Sequence, residues 1–357
     1  MVAALVLMLS AGVPGPEGVA RSRPDVERAV ARGLAWLARE QGPHGEWTGD
    51  VGHKQQDDYV VYFPAERQRH EGRGHVGVSA IAGMAFLAGG HVPKRGEYGL
   101  LVQRTVEYLL GAVKEDGYIT DSEDRMYSHA FATLFLAEVY GMERNRELKE
   151  KLEMAVDLIV KCQNDQGGWR YSPFVRDADL SVSVCQVQAL RAARNVGIRV
   201  PRANVDRAIE YVKHSRIQGG RESGAFYYKV EGRSARTKTS FTINAAAVTA
   251  LMSAGFYDYS WLEPAIRYIE ETYDDVSRVY GDHFYFWYGN YYASQALFQV
   301  GGARFDRYYT RLVEDLLSRQ EHDGAWPNSV GPGRAFSTAV ACILLQIPNQ
   351  YLPIFQR

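Results

Sequence analysis

Cysteine is scarce in this chain. Only Cys162, Cys185 and Cys342 occur in 357 residues. They lie far apart in apolar, helix-like surroundings, and no CxxC pair exists. This excludes a disulfide framework and a spaced structural zinc set, and it makes the three thiols small buried hydrophobes. An excess of one charge is also missing. There are 41 basic and 42 acidic residues, for a formal net charge of −1, so nothing marks a nucleic-acid binder, which would carry a basic stripe. No low-complexity tract and no long like-charge run is present. No stretch reaches the roughly 20 apolar residues that a membrane-spanning helix needs. HExxH and GxSxG are both missing. The segment GRGHVG, Gly72 to Gly77, fits GxGxxG, but no convincing strand precedes it and no βαβ unit surrounds it, so a dinucleotide site fails its context test. No metal and no cofactor is expected.

Hydrophobic residues, by contrast, make up 46% of the chain, enough for a large core. The first residues, MVAALVLMLSAGV followed by PGPEGVA, read as residues 1–20 of a secretory signal with a small-residue cleavage site after Ala20. The positive residues that usually precede the apolar run are missing. The expected location is exported or periplasmic if this segment is a signal, and cytoplasmic otherwise. Residues 24–357 then form one domain.

The decisive feature is an internal repeat. A skeleton of Gln, three residues, Gly, one residue and Trp occurs three times. The copies are Gln41, Gly45 and Trp47; Gln163, Gly167 and Trp169; and Gln320, Gly324 and Trp326. Each follows an amphipathic helical pattern. In VERAVARGLAWLAREQ, Val26, Val30, Gly33, Leu34 and Leu37 share one face, and Pro24 suits the helix start. Weaker copies end near Tyr118, Phe226 and Phe286. A second helix, richer in Ala and Ser and apolar nearly all round, follows each turn, and such a helix should be buried. Six amphipathic–buried hairpins at roughly 56-residue spacing can stack side by side. Closing them into a ring buries the inner helices on every side. DDYVVYF, Asp57 to Phe63, is the best strand candidate and is read as part of a loop.

RGLAWLAREQGPHGEW, Arg32 to Trp47, resembles the QW motif of squalene–hopene and oxidosqualene cyclases. Three full and three degraded copies span nearly the whole chain. The resemblance implies the all-α (α/α)6 toroid shared by terpenoid cyclases and protein prenyltransferases. It also implies a structural role for the three Gln–Gly–Trp sets, with Gln tying neighbouring helix ends together. Gln can satisfy bare helix-terminal groups, Trp offers a large apolar face, and Gly permits the turn.

The N-terminal ends of the inner helices should surround one mouth of the ring. There RDADLSVSV places Asp177 and Asp179 at a helix start. The corresponding cyclase site reads DxDD and protonates an alkene through its second Asp. Here Leu180 replaces the last Asp and Ser181 the following Thr. Asp179, with Asp177, is therefore the candidate acid, and the plain alternative is a helix cap. Protein prenyltransferase β subunits hold zinc with Asp, Cys and His. Here the residue after Ala178 is Asp179 rather than Cys, although His75 and His129 also open inner helices. His129, Tyr291 and Tyr292 are candidate substrate contacts, the tyrosines coming from a stretch with eight aromatics in thirteen residues, Tyr280 to Tyr292. Aromatic faces of this kind stabilise a cation or stack on a ligand. Two functions follow. One is a terpenoid-cyclase-like enzyme acting on an isoprenoid in the central cavity, which would be an isomerase or a lyase. The other is a non-catalytic exported toroid that binds a lipid, glycan or protein at its mouth.

Overall fold

The computed structural model describes residues 23–230 and 239–356, so the expected signal at residues 1–20 lies outside the described residues. The inner helices are α3 (Val76–Ala88), α5 (Met126–Met142), α7 (Leu180–Asn195), α9 (Phe241–Ser253), α11 (Phe284–Val300) and α13 (Arg334–Gln346). Each packs on the next, and α13 packs back on α3, which closes the ring. The outer helices are α1 (Pro24–Glu40), α4 (Gly99–Gly111), α6 (Arg146–Lys161), α8 (Arg202–His214), α10 (Tyr259–Tyr280) and α12 (Gly302–Arg319). The expected all-α toroid of six hairpins is therefore what forms.

Sequence pattern explains the two layers. Every residue of α3 and α9 is buried, as an all-round apolar helix demands. The outer helix α12 buries one stripe, Phe305, Tyr308, Tyr309, Leu312, Val313 and Leu316, and keeps its charged residues outside.

One expectation is corrected. The segment assigned to a loop pairs as an antiparallel hairpin, β1 (Val51–Gln55) with β2 (Asp58–Phe63), followed by a short helix α2 (Ala65–Glu71). The strand hid because Val60, Val61 and Tyr62 are all exposed. A hairpin with no core-facing row shows no alternation of apolar and polar residues.

The three Gln–Gly–Trp sets act as joints with one shared geometry. Each Trp indole N–H donates to a last-turn carbonyl of its own outer helix: Trp47 to Leu37 at 2.9 Å, Trp169 to Ile159 at 2.8 Å, and Trp326 to Leu316 at 2.7 Å. Each Gln Nε2 donates to a carbonyl of the next outer helix or its equivalent: Gln41 to Leu101 at 3.0 Å, Gln163 to Asn204 at 2.9 Å, and Gln320 to Ala29 at 2.8 Å. The last of these links the end of the chain to its beginning. The glycines sit at positive φ, and a Cβ on Gly167 would lie 2.4 Å from the Arg207 carbonyl oxygen. Each Trp backbone N–H is latched by a hydroxyl from its inner helix, Ser79, Ser183 or Thr338.

Two of the three weaker joints keep the latch and change its chemistry, whereas the copy expected near Phe286 has no such turn, because Phe286 lies within α11 and its N–H bonds the His283 carbonyl. Asn244 Oδ1 accepts from the Phe226 N–H at 3.1 Å, and His129 Nδ1 accepts from the Ile119 N–H at 3.1 Å. The other ring nitrogen of His129 lies 3.2 Å from the Ala155 carbonyl, on α6. Burial, against small opposing effects of that carbonyl and Asp116, lowers the His129 pKa to about 4.

Three variants test these joints. Gly167→Ala is expected to cost about 2 kcal/mol or more, from left-handed strain plus the clash with Arg207, measured by chemical denaturation. His129 should also contribute acid sensitivity. Its folded pKa lies below the ordinary value of 6.5, so the neutral ring's contribution is complete above about pH 6.5 and is lost as pH falls towards 4. His129→Asn, which copies the Asn244 latch, should flatten stability over that window. His129→Leu, which orphans the Ile119 N–H, should cost about 1–3 kcal/mol at neutral pH.

Candidate functional site: the ring mouth

The inner helices run parallel, so their N-termini meet at one end of the ring. Their cap residues are His75, Arg125, Asp179, Ser240, His283 and Gly333. Four of these side chains accept an orphan N–H of their own helix, on Val78, Val182, Ile243 and Tyr285, as helix starts require.

Asp179 is the most heavily engaged of the six. Its Oδ1 accepts from the Val182 N–H at 2.9 Å and from the Ser181 hydroxyl at 2.6 Å. Its Oδ2 is ion-paired with the Arg170 guanidinium. The side chain is 0% exposed. Asp177, by contrast, keeps 40% of its side chain in solvent. It accepts from Lys229 Nζ at 2.5 Å and lies 3.5 Å from Arg170 Nε. The two acids thus share one guanidinium. Burial opposes the Arg170 charge, yet the Asp179 carboxylate beside it carries its pKa upward.

Tyrosines surround this group. The Tyr171 and Tyr228 hydroxyls are 2.5 Å apart, Arg170 lies 4.1 Å above the Tyr171 ring, and Arg170 reaches the Tyr228 hydroxyl at 3.4 Å. Burial first, and the Asp179 charge second, raise the pKa of both phenols. They remain protonated hydroxyls at neutral pH and can hydrogen-bond either way.

The β1–β2 hairpin crosses this end. The Tyr285 hydroxyl donates to the Gln56 carbonyl at 3.2 Å, and His283 Nε2 lies 2.6 Å from the Asp57 carbonyl. Lys54 sits 4.4 Å above Tyr285 and 5.8 Å above Tyr228. Arg125 donates to the Tyr62 hydroxyl at 3.0 Å and covers the Tyr171 ring at 5.1 Å.

Beneath the mouth an aromatic column fills the ring axis. Tyr127 hydrogen-bonds the Ser181 hydroxyl at 2.6 Å, and the Tyr288 hydroxyl donates to the Ser181 carbonyl at 2.6 Å. Successive ring centroids, Tyr171–Tyr127, Tyr127–Tyr288, Tyr288–Tyr292, Tyr292–Tyr291 and Tyr291–Phe131, stand 4.9–6.1 Å apart. Cys185 is wedged between the Tyr288 and Tyr292 hydroxyls at 3.2 and 3.1 Å, and burial pushes its thiol up to about 11.

The candidate residues therefore separate. Asp177 and Asp179 come together at the mouth. Tyr292 joins them indirectly, through Cys185, Tyr288 and Ser181, and Tyr291 lies one ring deeper. His129 spends both ring nitrogens on backbone and is not part of this group. Among the described residues no set of three or more His, Cys, Asp or Glu side chains is gathered to hold a metal, and no helix is long and apolar enough to cross a membrane. Sequence reasoning missed Arg170, Tyr171, Tyr228 and Lys229. The signal was positional: Arg170 and Tyr171 directly follow the joint residue Trp169, and Tyr228 and Lys229 follow its counterpart Phe226.

No family model and no curated protein matches the chain. Solved structures do. A glycoside hydrolase family 76 mannosidase from Bacteroides thetaiotaomicron superposes with a TM-score of 0.63 at 10% identity, over 90% of this chain and 97% of that one. An α-amylase from Clostridium perfringens gives 0.62 at 8% identity, over 92% and 99%. A variant of the type II terpene cyclase MstE from Scytonema, in complex with geranylgeranyl dihydroxybenzoate, gives 0.56 at 12% identity, over 92% and 98%. At such identities the likeness is one of fold, and the fold is the α/α toroid of these enzymes.

Proposed function

We propose that the ring mouth binds a hydroxyl-rich ligand, a glycan, on the surface formed by Tyr171, Tyr228, Arg170, Asp177 and Lys229. The contrast between the two acids carries this reading. Asp179 is buried and fully committed to its helix, Ser181 and Arg170. Asp177 and its cationic partners remain within reach of solvent. Phenol hydroxyls beside a few fixed charges suit a ligand that offers many hydroxyls. The likeness to a mannosidase and an amylase supports this only as a fold analogy. An exported or periplasmic location, resting on residues 1–20, accords with such a ligand and is tested by sequencing the mature N-terminus.

A second reading has its own support. The tyrosine column below Ser181 is the kind of lining that stabilises a carbocation, which favours a terpenoid-cyclase-like enzyme acting on an isoprenoid with Asp179 as its acid. Against it stands the ion pair with Arg170. A general acid must carry a proton to its substrate, and this carboxylate is held in a pair.

Calorimetry against an oligosaccharide panel that includes α-1,6-mannotetraose tests the first reading. Tyr228→Phe and Asp177→Asn are each expected to weaken binding about tenfold, the equivalent of one charge-assisted hydrogen bond, with thermal stability measured in parallel to separate binding from folding. Absence of binding to every oligosaccharide overturns the glycan assignment. Cyclised product from linear polyprenyl substrates, abolished by Asp179→Asn, would establish the second reading in its place.

A further inference from the structure

The opposite end of the ring is closed by the chain itself. After α13 the backbone turns through Ile347–Asn349 and Gln350, and Pro353–Phe355 forms a final turn. Leu352, Ile354 and Phe355 are buried. This segment packs on α7. Phe355 meets the Tyr291 ring of α11 edge-on at 6.2 Å, and Gln299 Nε2 of α11 donates to the Gln356 carbonyl at 3.0 Å. The segment therefore lies across inner helices on different sides of the ring. Beside it is a cavity of about 10 Å³, bordered by Arg191, Gln295, Ile354 and Phe355, room for about one water molecule.

Polar groups collect beneath this segment where an apolar plug would not need them. Glu138 (α5), Gln188 (α7) and Tyr291 (α11) are almost fully buried. Glu138 Oε2 and Gln188 Oε1 have no hydrogen-bond partner. One hydrogen of each nearby amide is already used. Gln188 Nε2 donates to Gln295 Oε1 at 2.6 Å, and Gln295 Nε2 donates to the Tyr291 carbonyl at 2.7 Å. What is left over is acceptor oxygen on α5 and α7, beside the Tyr291 hydroxyl, and a buried oxygen without a donor is costly.

We propose that this end of the ring is a second ligand site, for an amphipathic molecule with an apolar chain and a neutral hydroxyl head, and that Leu352 to Phe355 are its internal occupant. The head group follows from the cluster. The orphaned Glu138 Oε2 and Gln188 Oε1 call for a donor, which an anionic head lacks. An ammonium head would face Arg191, whose charge already acts on Glu138. A hydroxyl donates to one oxygen and accepts from another group. Burial, opposed by the Ile354 backbone and Arg191, pushes the Glu138 carboxyl up to about 8, so it is largely protonated at pH 7 and can supply the reciprocal hydrogen bond. The apolar chain takes the place of Ile354 and Phe355 against Tyr291 and Phe131.

The experiment uses four probes of one chain length: 1-octanol, octylamine, octanoate and octane. They are titrated at pH 7 into the full chain, Phe355→Ala, and Phe355→Ala combined with Glu138→Leu, each checked for folding by circular dichroism. Phe355→Ala should bind octanol roughly tenfold tighter than the unaltered chain, and adding Glu138→Leu should remove most of that gain, about the worth of one or two buried hydrogen bonds. Octanol should also speed amide exchange at Leu352, Ile354 and Phe355 in the unaltered chain. If Phe355→Ala fails to fold, that exchange decides the matter. Equal binding of octane shows an apolar void only and overturns the site. Preference for octylamine or octanoate overturns the head group. No binding by a folded Phe355→Ala shows that water alone serves the oxygens, which also overturns the proposal.

Discussion

The Gln320 amide donates to the Ala29 carbonyl, and that bond ties the last hairpin to the first. Helix ends leave carbonyls without internal partners. Here each Trp indole answers one on its own outer helix, while each Gln amide reaches a carbonyl in the N-terminal half of the next outer helix, so one turn caps a helix and joins it to its neighbour. The same joint is reinforced by Arg32, which donates to the Glu321 and His322 carbonyls, and by the Trp36 indole on Asp323. Were the ring left open, α3 and α13 would each expose a face that is apolar or small apart from Gln346, whose Nε2 donates to the Ala85 carbonyl of α3. Burial of that surface, worth about 25 cal/mol per Å², is what the joint secures.

Closure also fixes the chemistry of the two ends. All six inner helices present their N-termini at the mouth, where carboxylates and hydroxyls are favoured as caps. Asp179 answers that demand so fully that its carboxylate is spent on architecture. The charge that remains accessible lies one step outward, on Asp177, Lys229 and the edge of Arg170. The other end gathers the inner-helix C-termini, and there the chain supplies its own cover. Between the two, tyrosines fill the axis with hydroxyls paired to Ser181 and Cys185, so the core of the ring is aromatic but not uniformly apolar.

Much of this was legible in the order of the residues. The Gln–Gly–Trp spacing gave the joints, and the alternation of amphipathic with all-apolar helices gave outer and inner layers. Each depends on residues close in sequence, such as Trp169 and the Ile159 carbonyl ten positions before it. Asp177 and Asp179 were legible as a pair for the same reason. His129 was not, because its fate depends on Ile119 and on the Ala155 carbonyl of the following helix. Its position matches the latch residues Ser79, Ser183, Thr338 and Asn244, a correspondence visible only once the joints are superposed in space. The β1–β2 hairpin was hidden because its residues face solvent and its docking partners, Arg125, His283 and Tyr285, lie 60 or more positions away.

The sequence by itself thus determined the repeat, the helical layers and the place of the turns, since all three are set by short-range periodicity and turn chemistry. Tertiary structure alone decided which acid keeps access to solvent, which tyrosines meet, and what lies across each end of the ring. Those outcomes turn on contacts such as Asp177 with Lys229 and Tyr291 with Phe355. Such contacts exist only because ring closure brings side chains from separate hairpins onto one axis.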